Sequence, residues 1–371
     1  MKMDQKAYWV GFNKVRGIGA VRTAKLLAYF GSLSDAWNAS SAELLQAGLG
    51  KKIAADFLQI RDTIDPESEY KQILDSNIQV VTSEEKEYPK RLKSIEQPPP
   101  VLYIRGLLEE RDEFAVAIVG TRQNTSYGRQ VTSDLSAYLV RNGITVISGL
   151  ARGIDSIAHT SALNADGRTL AVLGCGVDVV YPPEHRKLYN NIQQSGALIS
   201  DYFPGTQPEG INFPPRNRII SGLSLAVVVI EAGEKSGALI TGEFAASQGR
   251  EVFAVPGPIY APKSKGTNRL IRDGALPLND FEEILAAINL EQIEEYRYAK
   301  KVIPQSNIEV LLIETLKNEP RHINDIKAET GLSMEKISAS LVMMELRGLV
   351  KQTGNMTYIS IGEESADYEA I

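Results

Sequence analysis

Between residue 112 and about residue 290, short apolar runs alternate with longer amphipathic stretches. The runs are rich in Val, Ile and Ala and close on Gly or another small residue; they are FAVAIVG, ITVISG, AVLGCG, ALIS, LAVVVIEA and EVFAVPG. Strands buried on both faces are apolar throughout, and crossover helices account for the stretches between them. The pattern predicts an α/β domain with an extended Rossmann-like parallel sheet, which binds ligands at the carboxyl ends of its strands.

Two helical hairpins are predicted near the start of the chain. VRGIGAVRTAKLLAYFG and LLQAGLGKKIAADFL each place a Gly-x-Gly turn before an apolar helix pattern, which resembles a tandem helix-hairpin-helix. In one interpretation the turns leave backbone N–H groups free to meet a phosphate, and Lys14, Arg16 and Arg22 favour it. In the other, the glycines only permit tight turns in a small helical bundle.

The pattern after about residue 307 is helix, turn, helix, hairpin, which resembles a winged helix. Ser333 is expected to cap the second helix, with Glu335 in its first turn. Glu335 and Glu345 lie on the candidate recognition helix, so a protein contact and a duplex DNA contact both stay open for this unit. The chain is thus predicted to divide into five segments: a helical domain (1–65), an extended Rossmann-like domain (66–290), a linker (291–307), a winged helix (308–360) and an acidic tail (361–371).

Composition and charge limit the partners and the cellular compartment that we expect for the protein. The formal net charge is −6 and the pI about 5.4, which argues against a nucleic-acid partner only if the charge is evenly spread. The single cysteine, Cys175, excludes an internal disulfide. No apolar run is long enough to span a bilayer, and the first residues lack the apolar core of a signal peptide. We therefore expect a cytoplasmic protein without a membrane partner.

Arginines follow two of the predicted strands. Gly120, Thr121 and Arg122 close the first strand, and no G-x-G-x-x-G fingerprint is present, which excludes a nicotinamide dehydrogenase. The guanidinium of Arg122 suits phosphate oxygens.

The next loop, SGLARGIDSIAH, adds a second cation. Its candidate site residues are Ser148, Gly149, Arg152 and Gly153, and Asp155 is expected to cap the following helix. Small residues here allow a ligand to approach the backbone closely.

Arg216, Asn217 and Arg218 follow two prolines and open a helix. Cations are disfavoured by the dipole at a helix N-terminus, so a bound anion would explain them. Pairing of these arginines with Asp155 or Glu231 is the alternative. Because the two arginines are two residues apart, we expect them to point in different directions.

Two later loops complete the set. Ser236 and Gly237 open a helix after LAVVVI, and Lys265, Gly266 and Asn268 lie in SKGTNRLIRDGA. Lys235 before Ser236 does not make a P-loop, because the required glycines are missing. So many cationic loops on one expected edge favour a long polyanion over one small nucleotide.

Four aromatic residues accompany the cationic loops. Tyr127, Tyr181, Phe203 and Phe213 lie near these loops and are candidates for stacking on unpaired bases. The three histidines have no metal-ligand spacing, and neither a nucleophile elbow nor a Ser-His-Asp order is present. The sequence therefore predicts a binding protein that has no cofactor and no metal and is not an enzyme.

Seven strings taken together resemble the DNA processing protein A (DprA) family, also called Smf: AIVGTR, ISGLARGIDSIAH, VLGCGVDVVYPPEH, FPPRNRIISGLS, EAGEKSGALIT, GREVFAVPG and KGTNRLIRDGA. The resemblance implies a homodimer that binds single-stranded DNA in a positive pocket, protects incoming DNA and loads the RecA recombinase in natural transformation. Carried onto this chain, the pocket candidates are Arg122, Ser148, Gly149, Arg152, Arg216, Asn217 and Lys265.

The third loop departs from the family. Pro183 stands where the family often has a basic residue, and Arg186 or Lys187 is a candidate replacement. The competing hypothesis is a nucleotide-processing enzyme like the nucleoside-monophosphate phosphoribohydrolases, with Glu231 or Glu243 as its acid. The PGGxGTxxE loop of those enzymes is absent here.

Overall fold

The computed structural model describes residues 5–288, 306–317, 319–346, 349–354 and 356–360. By their internal contacts the residues divide into two compact units, residues 1–288 and residues 289–371. The acidic tail and nearly all of the linker predicted from the sequence lie outside the described residues. The boundary predicted at residue 65 stays a prediction.

The first unit is built on a nine-stranded sheet in the order β1-β2-β6-β5-β4-β3-β7-β8-β9. All neighbours from β6 to β9 are parallel, whereas β1 with β2 and β2 with β6 are antiparallel. The strands are β1 (Gln79–Thr82), β2 (Val101–Gly106), β3 (Ala115–Val119), β4 (Thr145–Ser148), β5 (Thr169–Val172), β6 (Ala197–Ser200), β7 (Ala226–Val229), β8 (Glu251–Ala254) and β9 (Leu276–Pro277). The predicted α/β, Rossmann-like fold is confirmed.

The central strands are apolar because helices cover both faces of the sheet. Every residue of β3, β4, β5, β6 and β7 is buried, as expected for parallel strands. The helices of this half are α8 (Ser126–Arg141), α9 (Ile154–Asn164), α10 (Arg186–Ser195), α11 (Phe213–Gly222), α12 (Gly237–Ser247), α13 (Lys265–Arg272) and α14 (Glu282–Ala287).

Six helices precede the sheet, and helices stand on both sides of each predicted Gly-x-Gly turn. They are α1 (Gln5–Asn13), α2 (Ala20–Phe30), α3 (Leu33–Asn38), α4 (Ser41–Gln46), α5 (Lys51–Arg61) and α6 (Pro66–Asp75). Their apolar cluster, which includes Trp9, Trp37 and Phe57, also takes in Val80 of β1 and Tyr103 of β2. The helices therefore share a core with the antiparallel edge of the sheet.

Residues 66–110 join the helices at the start of the chain to the central strands and hold regular structure of their own. They contain α6 and the short helix α7 (Lys90–Lys93), and β1 pairs antiparallel with β2. Asp65 caps α6 through the backbone N–H of Ser68, and Pro66 occupies its first turn, a strong helix start.

The described residues of the second unit form three helices, α15 (Asn307–Leu316), α16 (Ile323–Thr330) and α17 (Met334–Leu346). They also form a three-stranded sheet in the order β10 (Arg321–His322), β12 (Thr357–Ser360), β11 (Val350–Gly354). The two long strands form the predicted hairpin after the last helix. This order of elements confirms the predicted winged helix. Leu312, Ile326, Leu341 and Met344 pack in its core.

Candidate functional site

A cleft of about 770 Å³ lies at the carboxyl edge of the sheet between β3 and β7. Strand order reverses there, since β3 is followed by β4, β5 and β6 on one side and by β7, β8 and β9 on the other. Open α/β sheets bind ligands at this switch point. The polar and aromatic residues lining the cleft are Thr121, Arg122, Gln123, Asp155, Tyr181, Phe213, Arg216, Asn217, Lys235, Ser236 and Thr241.

Arg122 and Phe213 form the accessible face of the cleft. Arg122 is exposed, and its guanidinium carbon lies 5.6 Å from the centre of the Phe213 ring. Tyr181 lies beside the same ring, with the two ring centres 5.7 Å apart and tilted by 32°. The site therefore offers a cation and two aromatic rings, the groups that bind phosphate and stack on unpaired bases.

Arg216 contacts the same ring but is buried, with only 4% of its surface exposed. Its Nη1 donates hydrogen bonds to the carbonyls of Gly149, at 3.0 Å, and Val172, and its Nε donates to Asn217 Oδ1 at 3.2 Å. Because Gly149 follows β4 and Val172 ends β5, this side chain ties two strand ends together. Burial lowers the pKa of Arg216, and the carboxylate of Asp155 opposes that shift.

Asp155 holds the loop between β4 and α9 instead of capping the helix. Its Oδ2 accepts from the backbone N–H groups of Gly149, at 3.2 Å, and Ala151, at 3.4 Å. The helix N-cap is Gly153, which makes no side-chain cap. Burial raises the pKa of Asp155, and the facing charge of Arg216 partly offsets that rise.

The glycines of this loop are required by close approaches. Gly153 has a φ of +77°, and a Cβ there would lie 2.4 Å from the carbonyl oxygen of Thr121. A Cβ at Gly149 would lie within 2.9 Å of the Arg216 guanidinium. Ser148 is fully buried and donates to the carbonyl of Ile118 at 2.6 Å, so it joins two strands and does not line the cleft. At Gly120 a Cβ would meet Ile154 at 2.6 Å.

Arg152 lies in a small recess next to the cleft, together with Arg122 and Cys175. Its Nε contacts Glu184 Oε1 at 2.5 Å, and about half of each side chain is exposed. An exposed ion pair of this kind contributes little stability, so the arginine is available to a competing anion. Arg186 and Lys187, the candidate replacements at the third loop, are both exposed at the start of α10.

The loop after β7 supplies a cation that the sequence interpretation did not assign to the site. Lys235 is exposed and lines the cleft. Ser236 beside it caps α12 through the backbone N–H of Ala238, and the carbonyl of Gly237 accepts from Asn217 Nδ2 at 3.2 Å. The signal that could have found Lys235 is its position between a buried strand and a helix-capping serine.

The last predicted loop is not brought into the cleft. Lys265 pairs with Glu234 at 3.5 Å, and Gly266 donates its backbone N–H to the carbonyl of Ala232 at 2.8 Å. The amide group of Asn268 bonds to both backbone groups of Gly257. These residues therefore hold the loop after β7 in place and do not line the cleft.

Arg218 also lies elsewhere. Its Nη2 pairs with Asp201 at 2.8 Å, and it lines a second groove on the other side of the segment 208–218. The expected divergence of Arg216 and Arg218 is therefore observed. Neither pairs with Glu231, whose carboxylate accepts from the backbone N–H and the hydroxyl of Thr125 at 2.8 and 2.5 Å.

Two residues with possible enzymatic chemistry lie in different settings. Glu243 is exposed and lies 3.9 Å from Arg269. Burial raises the pKa of the Cys175 thiol to about 11. Within the described parts of the chain, no cluster of three metal-ligating side chains occurs, and no helix is long and apolar enough to cross a membrane.

Comparisons with known proteins agree on one family. A model described as DNA recombination-mediator protein A matches residues 79–289, and one described as DprA winged helix domain matches residues 302–356. The Smf protein of Synechocystis is 35% identical over 395 residues, which cover 96% of this chain and 99% of that protein.

Two solved structures are also similar. DNA processing protein A from Streptococcus pneumoniae has a TM-score of 0.68 at 33% identity, covering 77% of this chain and 98% of that one. The same protein from Helicobacter pylori, solved for insight into its single-stranded DNA binding mode, has a TM-score of 0.52 at 30% identity and covers 58% of this chain and 96% of that one.

Proposed function

The chain belongs to the DNA recombination-mediator protein A family, as its motifs indicated, and on that premise we propose that it binds single-stranded DNA in the cleft between β3 and β7 without reacting with it. The observation that carries the proposal is the exposed guanidinium of Arg122 over the Phe213 ring, with Tyr181 beside them. A phosphate and an unpaired base can both be bound at this one place.

The electrostatics of the cleft support a polyanion. Arg122, Arg216 and Lys235 line it, and Asp155 is its one carboxylate among the described lining residues. That carboxylate is occupied by two backbone N–H groups. The N-termini of α11 and α12 also border the cleft, and the partial positive charge of a helix N-terminus favours an anion.

Arg122 and Arg216 are proposed to act on DNA in different ways. Arg122 is free to move toward a phosphate, whereas Arg216 is fixed by three hydrogen bonds and acts on the ligand through its charge. Arg122 is therefore the side chain whose removal tests DNA contact without disturbing the fold.

The test is the affinity of the full chain for fluorescein-labelled oligothymidylate, measured by anisotropy at several salt concentrations. For Arg122→Ala we expect a roughly tenfold loss, corresponding to one contact of about 1.4 kcal/mol, and a decrease of about 0.7 in the salt slope for one phosphate on a single strand. Arg141→Ala is the matched control, because Arg141 is exposed but ends α8 before β4 begins, at the opposite edge of the sheet.

Equal affinity of Arg122→Ala and wild-type protein at matched salt would remove the cleft from the proposal. Release of free base from AMP by the wild-type chain would replace it with the phosphoribohydrolase hypothesis.

We also propose the finer activities of the family for this chain: protection of incoming DNA, loading of RecA and assembly as a homodimer. The short edge strand β9, with Leu276 exposed, supports self-association, since an unpaired strand edge is a ready surface for pairing. Sedimentation of the chain tests the dimer. RecA filament formation on DNA coated with a single-strand binding protein, with and without this chain, tests the loading.

The winged helix is proposed to contact duplex DNA or a protein, and the cleft does not depend on it. All lining residues of the cleft lie before residue 242. Removal of residues 300–371 is therefore expected to leave affinity for a short single strand unchanged.

A further inference from the structure

A second groove of about 540 Å³ lies between the first Gly-x-Gly turn and the loop after β6. Four cations line it, namely Lys14, Arg16, Arg22 and Arg218, against the carboxylates of Asp201 and Glu209, and Lys14 also pairs with Glu69 at 2.7 Å. The groove thus carries a small excess of positive charge, on a protein whose net charge is −6. A local excess of this kind attracts anions within a screening length of about 10 Å.

The cation at the mouth of the groove is the one most available to a ligand. The side chain of Arg16 is 81% exposed, and its contact to Glu209 is long, at 3.8 Å. Exposed pairs of this type contribute about 0–1 kcal/mol, so a phosphate can displace the carboxylate. Arg22 donates to the carbonyl of Gly17 at 2.7 Å and so holds the turn itself.

An aromatic ring is placed at the same groove. Phe203 lines it, and Lys14 Nζ lies 4.8 Å from the centre of its ring. The groove therefore repeats the combination of cation and ring found in the cleft, built from different elements. Aromatic rings with adjacent cations suit unpaired bases of any sequence.

Backbone N–H groups and one nitrogen of Arg218 add donors, whereas the neighbouring carboxylate of Asp201 offers an acceptor. Helix α2 begins after Gly19, which makes no side-chain cap, and Gly19, Ala20 and Val21 line the groove. The N–H groups of a first helical turn have no partner within the helix. Within the described residues, the buried Nη1 of Arg218 and Oδ1 of Asp201 have no hydrogen-bond partner either.

The cleft and the groove share a wall. Residues 208–218 pass between them: Phe213 and Arg216 line the cleft, whereas Asn212, Pro215 and Arg218 line the groove. A strand that leaves the cleft over this segment reaches the groove without passing around the domain.

We infer that the groove between the first Gly-x-Gly turn and the loop after β6 is a second binding site for the same single strand, and that it holds the sugar-phosphate backbone of the nucleotides beyond those in the cleft. The inference rests on the proposed function of the cleft. In this proposal the helical region at the start of the chain also contacts the DNA strand. Arg16 and the first turn of α2 then bind a phosphate of that strand.

Strand length separates the two sites experimentally. Anisotropy is measured with a short labelled oligothymidylate of about six nucleotides, which fills the cleft, and a long one of about twenty-five nucleotides, which reaches both. For Arg16→Ala we expect short-strand affinity within twofold of wild type, long-strand affinity reduced three- to tenfold, and a long-strand salt slope lower by about 0.7. Arg141→Ala again controls for the loss of one exposed arginine.

A second variant, Gly19→Asp, places a carboxylate at the start of α2, where we propose that a phosphate binds. A Cβ at Gly19 meets nothing within 4 Å, and its φ of −106° is open to any residue. Aspartate is a preferred N-cap, so Gly19→Asp should keep or raise the melting temperature while it repels a phosphate. We expect a loss of long-strand affinity at least as large as that of Arg16→Ala, with short-strand affinity retained.

Unchanged long-strand affinity in both variants, or equal losses for the two strand lengths, would overturn the second site. Failure of the cleft itself gives a different result, because wild-type protein would then not bind the short strand, or Arg122→Ala would bind it as well as wild type.

Discussion

Replacement of the buried Arg216 tests the distinction between an arginine that holds the fold and one that meets the ligand. In Arg216→Met the side chain keeps much of its volume but loses its charge and its three hydrogen bonds to Gly149, Val172 and Asn217. The sequence alone makes Arg216 a pocket candidate and so predicts that loss of this arginine weakens DNA binding and leaves the fold intact. The structure leads to a different expectation, because the carboxylate of Asp155 would lose its facing charge in a buried place.

The magnitude follows from the burial of both groups. The loss leaves the buried carbonyls of Gly149 and Val172 without their donor, at about 1–3 kcal/mol each, and removes a charge that acts on Asp155, so we expect about 3–5 kcal/mol in all. For a domain of this size that corresponds to a decrease in melting temperature of roughly 6–20 °C, at about 2–4 °C per kcal/mol. Arg122→Met is the matched control. It contacts the same Phe213 ring but is exposed, so we expect a change within about 0.5 kcal/mol.

Tryptophan fluorescence isolates the relevant unit during thermal or urea unfolding. Both tryptophans of the chain, Trp9 and Trp37, are buried within residues 1–288. The double variant Arg216→Met with Asp155→Asn removes the uncompensated carboxylate. It should therefore recover about 1–3 kcal/mol relative to the sum of the single variants, as contacting residues do when they are coupled.

Unfolding of Arg216→Met at the wild-type temperature, together with a loss of DNA affinity, would contradict a structural role for this arginine. That result would mean that the arginine turns outward toward DNA and that its contacts to the strand ends do not stabilise the domain. Additivity of the two substitutions would contradict the charge pairing with Asp155 and leave the hydrogen bonds to the carbonyls as the only contribution.

Three further outcomes are expected. Burial lowers the pKa of His159 from 6.5 to about 3, so below pH 6.5 the unfolded chain binds more protons than the folded one and the free energy of unfolding falls by about 1.4 kcal/mol per pH unit. Urea titrations monitored by tryptophan fluorescence at pH 7 and pH 5 should show this loss in wild type and not in His159→Asn. Cys175, buried and with its pKa raised to about 11, should not react with a chromogenic disulfide at pH 7 until the chain is unfolded, and rapid labelling of native protein would contradict its burial. Arg168 is largely buried and pairs with Asp112 at 2.8 Å and with Glu109 at 2.7 Å, so Arg168→Met should lower the free energy of unfolding by about 3–5 kcal/mol. An unchanged unfolding midpoint would show that the pairs contribute nothing.

The sheet was predictable from the sequence where strands are buried on both faces. AVAIV of β3 and AVVV of β7 are apolar throughout and read as strands without any knowledge of their neighbours. The antiparallel strand β1 was missed because four residues, one of them exposed, carry too little pattern. Strand β9 has two residues, both exposed, and is defined by its pairing with β8 alone.

The site was predictable at the level of loops and less so at the level of side chains. Arg122 follows a strand at the switch point, and the topology alone brings it to the cleft. The burial of Arg216 depends on carbonyls 67 and 44 residues away, and the position of Arg218 depends on Asp201. Lys265 is a cation in a glycine-containing loop, as a site residue would be, but that loop packs against the loop after β7 and not into the cleft. Contacts of this range leave no trace in local sequence.

The acidic charge of the chain and a site for a polyanion are compatible because of where the carboxylates lie. Four of them, Glu363, Glu364, Asp367 and Glu369, are among the last eleven residues of the sequence. Among the described residues that line the cleft, the single carboxylate, that of Asp155, is bound to backbone N–H groups. At physiological salt, charges beyond about 8 Å are largely screened, so an approaching strand responds to the cations of the cleft and groove and hardly to the total. Net charge therefore bears on solubility, whereas in the proposed function affinity for DNA depends on a few cations at the carboxyl edge of the sheet.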